Sequence, residues 1–244
     1  MIERALELGV DYFDTAPAYA ASMDYLGSVI PPHRDRIFLA CKTADRTRDG
    51  SMRVLDDVLR RLRVNSLDWW QLHDIRTMRE VDRIFGADGA IHALGEAHRQ
   101  GIVKHLGLTG HQDPDVLLEA MRRFAFDTVL LPLNPADVHR LSFIESVLPA
   151  AVERGMGVIA MKVYGGGPLV RNGSAELLLR YVLSLPGVST AIIGCRTPDE
   201  VTENARMAMG FEVMAATERQ NLESAYGSGD WLPYKRGDLV HPGL

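Results

Sequence analysis

The sequence predicts an α/β protein with a TIM-type (β/α)8 barrel that lacks its first strand. Short apolar runs alternate with amphipathic segments along the whole chain, which is typical of repeated βα units around a parallel sheet. The length of 244 residues suits a single large domain, and one α/β barrel routinely reaches this size. Seven strand candidates occur in the sequence, whereas a closed barrel of this type needs eight strands.

The predicted elements begin with a helix. Residues 2–8 form a charged, amphipathic segment, and the first strand candidate follows at residues 10–14. The remaining strand candidates are short apolar runs bounded by polar or turn residues. They are residues 37–42, 67–73, 105–109, 128–133, 157–163 and 190–194. Because a helix without a preceding strand opens the chain, we expect a barrel whose first strand is absent from this sequence.

Start signals mark several of the intervening helices. Ser51 precedes a run of apolar residues at helical spacing and is predicted to cap that helix. Asp113-Pro114 and Thr197-Pro198 each offer a capping side chain and a proline at the first helical position. Thr197 and Glu200 also fit a capping box.

One domain is expected over residues 1–227, followed by an irregular C-terminal tail over residues 228–244. The sequence contains no linker, low-complexity tract or change of composition that would separate a second domain. The tail is rich in proline, glycine and aromatic residues rather than in a periodic apolar pattern.

Composition narrows the possible partners. A net charge of −5, with no polybasic stripe, argues against a nucleic-acid partner. Cys41 and Cys195 lie in apolar runs without zinc-binding spacing, so no metal is expected and a reducing cytoplasm is the expected location. The N-terminus lacks the pattern of a secretory leader, and no segment is long enough to span a membrane. Oligomeric state is not predicted.

Four polar residues follow the first three predicted strands. Asp14, Lys42 and His73 stand at strand ends, and Tyr19 lies in the loop after Asp14. Because the carboxyl ends of barrel strands meet at one face, these side chains are expected to form one site. A lone residue of any of these types is more often a helix cap, a solvated lysine or a core histidine. Their joint placement favours chemistry.

The predicted chemistry is carbonyl reduction. A free tyrosine has a pKa near about 10, and a neighbouring ammonium such as that of Lys42 is expected to lower it. Asp14 would hold Lys42 by an ion pair, His73 would orient a carbonyl oxygen, and Tyr19 would donate a proton to that oxygen. A cofactor would supply the hydride.

The sequence resembles the aldo-keto reductases over residues 1 to about 210. GVDYFDTAPAY, residues 9–19, is similar to the family's G-x-x-x-x-D-T-A-x-x-Y segment, and residues 37–42 to its lysine strand. LRRLRVNSLDWWQLH, residues 59–73, and GIVKHLGLT, residues 101–109, resemble the family's histidine strand and the strand that follows it. TAIIGCRTPDEVTEN, residues 190–204, resembles the last strand and the start of the adenine-side helix. The motifs occur in the family's order, which makes the resemblance specific.

The resemblance implies NADP as cofactor, with NAD possible, and a small carbonyl compound as substrate. It implies that Asp14, Tyr19, Lys42 and His73 are catalytic. It further implies a nicotinamide side, a phosphate side and an adenine side of the cofactor site. The residues assigned to these sides are Thr109, Gly110, Asn134, Met161, Lys162, Gly165, Gly194, Cys195, Arg196, Thr197, Glu200, Glu203 and Asn204.

Some positions depart from the family pattern. Thr109-Gly110 replaces Ser-Asn, Leu130 replaces a glutamine, and Met161 replaces an aromatic residue that stacks on the nicotinamide. Glu200 stands where many relatives carry an arginine for the 2′-phosphate of NADP, and Arg196 is close enough in sequence to take that role. The choice between NADP and NAD therefore stays open. The role of the glycine run that begins at Gly165 also stays open, because such a run fits either a loop that binds pyrophosphate or a flexible connection.

Two other functions remain as alternatives to an active reductase. Because Thr109-Gly110 replaces Ser-Asn, a contact to the nicotinamide amide is missing. This loss and the absent strand favour a nucleotide-binding barrel that acts as a regulatory or structural subunit. A barrel lyase or isomerase that uses Lys42 for a Schiff base is the weaker alternative. His111, close to the predicted mouth, is a further candidate for the site, with a role in turn formation as the alternative.

Overall fold

In the part of the chain that the structure describes, seven short parallel strands form the centre of the molecule, and each overlaps a strand predicted from the sequence. The computed structural model describes residues 1–171, 174–227, 229 and 231–236. The strands are β1 (Tyr12–Asp14), β2 (Phe38–Thr43), β3 (Leu67–Leu72), β4 (Val103–Thr109), β5 (Thr128–Pro132), β6 (Gly157–Met161) and β7 (Val188–Ala191). Predicted and observed ends differ by at most three residues, and the observed strand begins before the predicted run at β4 and β7.

The strands pair in the order of the sequence, from β1 to β7. Every pair is parallel, with Asp14 opposite Ala40 and Lys42 opposite Gln71 in the registers that matter for the site. Among the described residues β1 pairs only with β2 and β7 only with β6, so the sheet curls into a barrel that stays open between β1 and β7. The predicted barrel without its first strand is confirmed.

Helices connect the strands and cover the outside of the sheet. They are α1 (Ile2–Glu7), α2 (Ser22–Val29), α3 (Arg48–Leu62), α4 (Met78–Ile84), α5 (Ala90–Arg99), α6 (Pro114–Arg123), α7 (Val147–Glu153), α8 (Pro168–Arg171), α9 (Ala175–Leu183), α10 (Pro198–Met209) and α11 (Ala216–Ala225). Among the described residues, no helix is both long enough and apolar enough to cross a membrane.

The caps of three helices test the start signals of the sequence. Asp113 accepts a hydrogen bond from Asp115 N at the start of α6, as predicted. The prediction that Ser51 caps α3 is wrong. Thr47 is the N-cap of α3, and Ser51 lies inside the helix, where its hydroxyl donates to Asp45 O. Thr197 caps α10 by accepting from Glu200 N, but the Glu200 carboxylate accepts from Arg196 N, so the predicted capping box is only half formed.

Most strands are buried on both faces, as expected for a parallel sheet under helices. The larger apolar cluster lies between the sheet and the helices. A smaller one lies inside the barrel, where Leu130, Ile159 and Met161 are buried and Tyr12 and Ile192 pack against them. Tyr12 belongs to β1 and Ile192 directly follows β7, so this inner cluster lies beside the gap between the two edge strands.

The outer layer of helices is continuous across the gap between β1 and β7. Helix α1 packs against α10, and Arg4 Nε donates to Thr202 Oγ1 at 3.1 Å between them. The gap in the barrel is therefore a missing strand beneath a helical layer that spans it.

The described part of the predicted tail packs against the barrel. Pro233–Arg236 form a single 3-10 turn. Lys235 Nζ lies 2.5 Å from Asp137 Oδ1, and both side chains are fully buried. Lys235 also donates to the carbonyl oxygens of Arg140 and Leu141. This segment, residues 231–236, is named the C-terminal strap below. The predicted tail residues 237–244 lie outside the described residues.

Candidate active site

The four residues predicted to be catalytic meet at the carboxyl ends of the first three strands. Asp14 is the last residue of β1, Lys42 is the next-to-last residue of β2, and His73 directly follows β3. His73 N donates to Thr43 O at 2.8 Å, which extends the ladder between β2 and β3 up to the site. Tyr19 lies in the loop between β1 and α2.

Lys42 is the centre of the cluster. Its side chain is 1% exposed and forms an ion pair with the Asp14 carboxylate, which is 5% exposed. The ammonium also donates to Thr15 O at 3.0 Å, and its Nζ lies 5.0 Å from the centroid of the Tyr19 ring. The loop after β1 therefore wraps around a buried ammonium and places its phenol beside it.

A compact turn fixes the position of Tyr19. Tyr19 N donates to Ala16 O, and Ser22 N donates to Tyr19 O, both at 2.9 Å. Thr15 Oγ1 donates to Ser22 Oγ and ties the start of the turn to α2. The ring of Tyr19 meets the ring of His73 edge to face, with centroids 5.8 Å apart and planes at 87°.

Burial and mutual charge set the protonation of the cluster. Burial raises the pKa of Asp14 in spite of the neighbouring ammonium. Burial acts against the charge of Lys42, but the Asp14 carboxylate outweighs it and raises the pKa of the amine. The amine is thus an ammonium across the neutral range.

The expectation that the pKa of Tyr19 is lowered is wrong, although the Lys42 ammonium does act in that direction. Burial has the largest effect and raises the pKa of Tyr19, while the Lys42 ammonium lowers it by less. The net pKa of Tyr19 therefore lies above its ordinary value. The charge of Lys42 is visible in the sequence, whereas the burial of the phenol is not. Because burial raises its pKa, the phenol is protonated at neutral pH and can donate a proton.

The loop that carries His73 is held by Arg46 and Asp74, which no sequence pattern marked, together with Thr109 and His111, which were predicted to lie near the site. Arg46 donates to the carbonyl oxygens of His73 and Asp74 at 2.8 and 3.0 Å. Asp74 N donates to the buried Thr109 Oγ1 at 2.8 Å, so the predicted cofactor residue Thr109 supports this loop. His111 Nδ1 lies 2.6 Å from Asp74 Oδ1. His111 therefore lies at the mouth of the barrel, as its position after β4 indicated. It contacts Asp74, the residue that follows His73.

The ends of β5 and β6 carry the next group of predicted cofactor residues. Met161 is buried in the inner cluster at the end of β6, and Lys162 follows it. Both N–H donors of the Asn134 amide are engaged, with Lys162 O at 3.1 Å and Tyr234 Oη at 2.8 Å. Asn134 Oδ1 accepts from Ala136 N. Asn134 thus holds the loops together in this structure, and its predicted contact with a nicotinamide stays a prediction.

The glycine run after β6 has the conformation that requires glycine. Gly165, Gly166 and Gly167 have φ angles of 61°, 77° and 114°, a region that side chains disfavour. A Cβ on Gly166 or Gly167 would meet nothing within 4 Å, so space is open on that side of the loop. Gly110 differs, because a Cβ there would lie 3.0 Å from Ile75 O and from a Leu117 methyl group. Its lack of a side chain is a matter of packing.

The segment from Gly194 to Asn204 joins β7 to α10. Cys195 is in the loop after β7 and not in a strand, and burial raises its thiol pKa. Asn204 Nδ2 donates to Glu200 O, and Asn204 Oδ1 accepts from Tyr164 Oη at 2.5 Å. Glu203 is exposed on α10, and a Cβ on Gly194 would meet nothing within 4 Å.

Arg196 lies in the loop just before α10, and Glu200 lies in the first turn of that helix. The Arg196 side chain is 91% exposed and its guanidinium lies 3.8 Å from Glu200 Oε1. Glu200 already accepts from Arg196 N, and Thr197 Oγ1 accepts from Glu200 N. The Arg196 side chain is therefore largely exposed to solvent, whereas the Glu200 carboxylate is bound at the start of α10. The role of Arg196 toward a phosphate stays a prediction.

A depression of about 300 Å³ lies at the opposite end of the barrel, lined by residues that include Arg34, Phe38 and Lys104. The two cations pair with the buried Asp68 at 2.7 Å each. This depression lies at the amino ends of the strands, away from the catalytic candidates. Among the described residues, no group of three or more acidic, histidine or cysteine side chains is placed to hold a metal ion.

A family model and individual proteins match most of this chain. Residues 1–176 match the family model described as "Aldo/keto reductase family". An uncharacterised oxidoreductase of Bacillus subtilis, YqkF, is 22% identical over 258 residues, which cover 85% of this chain and 81% of that protein. A pyridoxal 4-dehydrogenase of Microbacterium luteolum is 23% identical over 279 residues, with 84% of this chain and 81% of that protein covered.

Solved structures share the fold. An aldo-keto reductase of Bacillus halodurans, AKR11C1 in its holo form, superposes with a TM-score of 0.79 at 21% identity, over 96% of this chain and 88% of that one. An aldo-keto reductase of Klebsiella pneumoniae in complex with NADPH gives a TM-score of 0.77 at 21% identity, over 94% and 84% of the two chains.

Proposed function

The chain belongs to the aldo/keto reductase family, and from this membership we propose that it reduces an aldehyde or ketone to the alcohol, with Tyr19 as the proton donor. The observation that carries the proposal is the placement of the Tyr19 ring between a buried ammonium and His73, 5.0 Å from Lys42 Nζ and 5.8 Å from the His73 ring centroid. A phenol so placed faces the group that stabilises its anion and the group that can orient a carbonyl oxygen.

Each of the four residues has one task in the proposed reaction. Tyr19 donates its proton to the carbonyl oxygen as negative charge develops there. Lys42 stabilises the phenolate that is left, and Asp14 keeps Lys42 charged and fixed in a site from which water is largely excluded. His73 orients the carbonyl oxygen toward the phenol. The reverse reaction uses the same groups with the phenolate as base.

A nicotinamide nucleotide bound at the mouth supplies the hydride. Three features of the chain fit such a ligand. The glycine loop after β6 leaves open space beside Gly166 and Gly167, Lys162 offers a cation nearby, and Arg196 is an exposed cation at the start of α10. A relative from Klebsiella pneumoniae was crystallised with NADPH, and we assign NADP to this chain on these grounds. We assign to nucleotide binding the same residues that the resemblance to the family implies in the sequence analysis.

A nucleotide-binding barrel without turnover is the second candidate function. The observation that favours it is the open sheet, since β1 carries Asp14 and is paired on one side only among the described residues. A loosely held β1 would displace Asp14 and Tyr19 from Lys42. Nucleotide binding depends on β6, β7 and α10 and would persist.

An assay with two readouts separates these functions. NADPH binding is followed by the change in nucleotide fluorescence, and NADPH oxidation by absorbance with a panel of aromatic and aliphatic aldehydes, ketones and sugars. The reductase proposal predicts both binding and oxidation with at least one reactive aldehyde. Binding without oxidation across the panel would assign the chain to the binding-only class, and absence of binding would contradict both.

A further inference from the structure

Asp74, the residue that follows His73, has a backbone conformation that few residues adopt. Its φ is 50°, in the left-handed region that side chains other than those of aspartate and asparagine strongly disfavour. Strained residues of this kind persist where surrounding contacts enforce them, and they are concentrated at functional sites. The bend at Asp74 comes directly after a residue of the candidate active site, so it sets the direction in which the chain leaves His73.

Arg46 binds the two carbonyl groups beside this bend. Its Nη2 donates to His73 O at 2.8 Å and to Asp74 O at 3.0 Å. The guanidinium is held in turn by Glu80, because Nε and Nη2 both donate to Glu80 Oε1, at 3.1 and 3.0 Å. Glu80 lies in the first turn of α4, where it forms a capping box with Thr77. One arginine, with a side chain that is 14% exposed, therefore joins the loop after β3 to the start of α4.

Further contacts enforce the bend. Asp74 N donates to Thr109 Oγ1, and Ile75 N donates to Thr109 O, both at 2.8 Å. His111 Nδ1 lies 2.6 Å from one carboxylate oxygen of Asp74, and Arg76 lies 2.6 Å from the other. Burial acts to raise the pKa of Asp74, but His111 and Arg76 outweigh it and lower that pKa, so the carboxyl group is ionised at neutral pH. The N–H, the carbonyl oxygen and both carboxylate oxygens of Asp74 thus all have partners.

These contacts fix the backbone of His73 on both sides of its side chain. His73 N donates to Thr43 O at 2.8 Å, and His73 O accepts from Arg46. The residue is 4% exposed, and its ring meets the Tyr19 ring with centroids 5.8 Å apart. Because only two rotatable bonds join the imidazole to the backbone, a shift of the backbone moves the ring with it.

We propose that Arg46 and Asp74 are positioning residues that keep the imidazole of His73 beside the phenol of Tyr19. Asp74 turns the chain after His73, and Arg46 binds the carbonyl oxygens on either side of that turn. The inference rests on the proposed function for the task of His73, which is to orient the carbonyl oxygen of the substrate. Arg46 and Asp74 act on the reaction through His73.

Arg46→Met tests the proposal, with Arg34→Met as the matched control. Arg34 also donates to backbone carbonyl oxygens, those of Ile37 and Ser66, and it also pairs with a carboxylate, that of Asp68. Its side chain is 17% exposed, close to the value for Arg46. It differs in lying at the amino ends of the strands, away from His73.

Three quantities are measured on each variant. The rate of reduction of a reactive aldehyde is measured in a single turnover with excess protein and bound NADPH, which detects rates too slow for steady-state assays. NADPH affinity is measured by fluorescence titration, and stability by urea unfolding.

Arg46→Met is expected to slow aldehyde reduction about 10- to 100-fold, because a misplacement of a reacting group by about 1 Å has an effect of this size. NADPH affinity should be unchanged. Within the described part of the chain, the side-chain hydrogen bonds of Arg46 go to His73, Asp74 and Glu80 and to no residue assigned to the nucleotide. Arg34→Met removes a similar set of bonds and is expected to keep the rate of the wild type even where stability falls.

The same substitution in a His73→Ala background separates positioning from general support. If Arg46 acts through His73, Arg46→Met has no further effect on the rate once the imidazole is gone. Equal losses in both backgrounds would contradict the positioning role. An Arg46→Met variant with the rate of the wild type would also contradict it and would leave the proposed reductase function standing. A wild-type protein that reduces no aldehyde would overturn both.

Two substitutions of Asp74 test the bend itself and carry the test if Arg46→Met does not fold. Asp74→Gly and Asp74→Ala both remove the carboxylate, but only glycine adopts a left-handed backbone without strain. Asp74→Gly is therefore expected to reduce the aldehyde several-fold faster than Asp74→Ala, with equal NADPH affinities. A rate for Asp74→Gly that is no higher than that of Asp74→Ala would contradict the role of the bend.

Discussion

Replacing Tyr19 with Phe is expected to lower kcat for the best aldehyde about 10²- to 10⁴-fold, the contribution that a positioned proton donor makes to such a reaction. The substitution removes one oxygen from a ring that stays between Lys42 and His73, so packing is conserved. NADPH affinity should not change, because the nucleotide is assigned to loops at the ends of β6 and β7. Steady-state rates and fluorescence titration on the same preparation measure both quantities.

Tyr25→Phe is the matched control for this experiment. Tyr25 lies in α2, six residues after Tyr19, and is 66% exposed. Its phenol is expected to contribute nothing to turnover. A Tyr19→Phe variant with the turnover of the wild type would show that another group donates the proton. Equal losses in both variants would show that the α2 region, and not the phenol of Tyr19, limits the rate.

Replacing Lys235 with Met is expected to destabilise the protein by about 3–5 kcal/mol, the cost of leaving one member of a buried ion pair without its partner. Lys235 and Asp137 are both fully buried. Within the described part of the chain, Asp137 would retain its bonds from Ser142 Oγ and Ile144 N. Urea unfolding at pH 7 measures the loss of free energy. Lys104→Met removes a 61% exposed lysine from its pair with Asp68 and should cost less than about 1 kcal/mol.

The pH dependence of the Lys235→Met defect gives a second readout. Burial raises the pKa of Asp137, and Lys235 opposes that shift. Without Lys235 the folded protein favours a protonated carboxyl more strongly. Stability from a raised carboxyl pKa is fully present below the unfolded pKa and is lost as the pH rises through the folded pKa. The defect should therefore shrink at acidic pH, and Lys235→Met combined with Asp137→Asn should recover part of the loss. A defect that is small at pH 7 would show that the strap does not anchor the β5 loop.

The catalytic candidates could be predicted from the sequence because parallel strands bring their carboxyl ends together. Asp14, Lys42 and His73 needed only the boundaries of three apolar runs, and the observed strands end within a residue of those boundaries. The open barrel was predictable in the same way, from a count of strands. Predictions of this kind need only the local sequence of each strand and no knowledge of contacts between residues far apart in the chain.

Contacts between residues far apart in sequence were not predictable. Tyr234 meets Asn134 across 100 positions, and Lys235 meets Asp137 across 98. No periodic pattern marks residues 231–236, so they read as an irregular tail although Tyr234 and Lys235 are buried. Burial itself was the other missing quantity. Burial decides the direction in which the pKa of Tyr19 shifts. A sequence shows which charged residues are present, but it does not show how far each side chain is removed from water.

Isotope transfer in a single turnover addresses the reaction itself. The protein is mixed in excess with NADPH that carries deuterium at the transferable position and with a reactive aldehyde, and the products are analysed by mass spectrometry. The structure predicts an alcohol that contains one deuterium on the former carbonyl carbon, and Tyr19→Phe should form it far more slowly. Bound nucleotide that remains reduced, with the aldehyde recovered unlabelled, would contradict a working reductase site around Lys42.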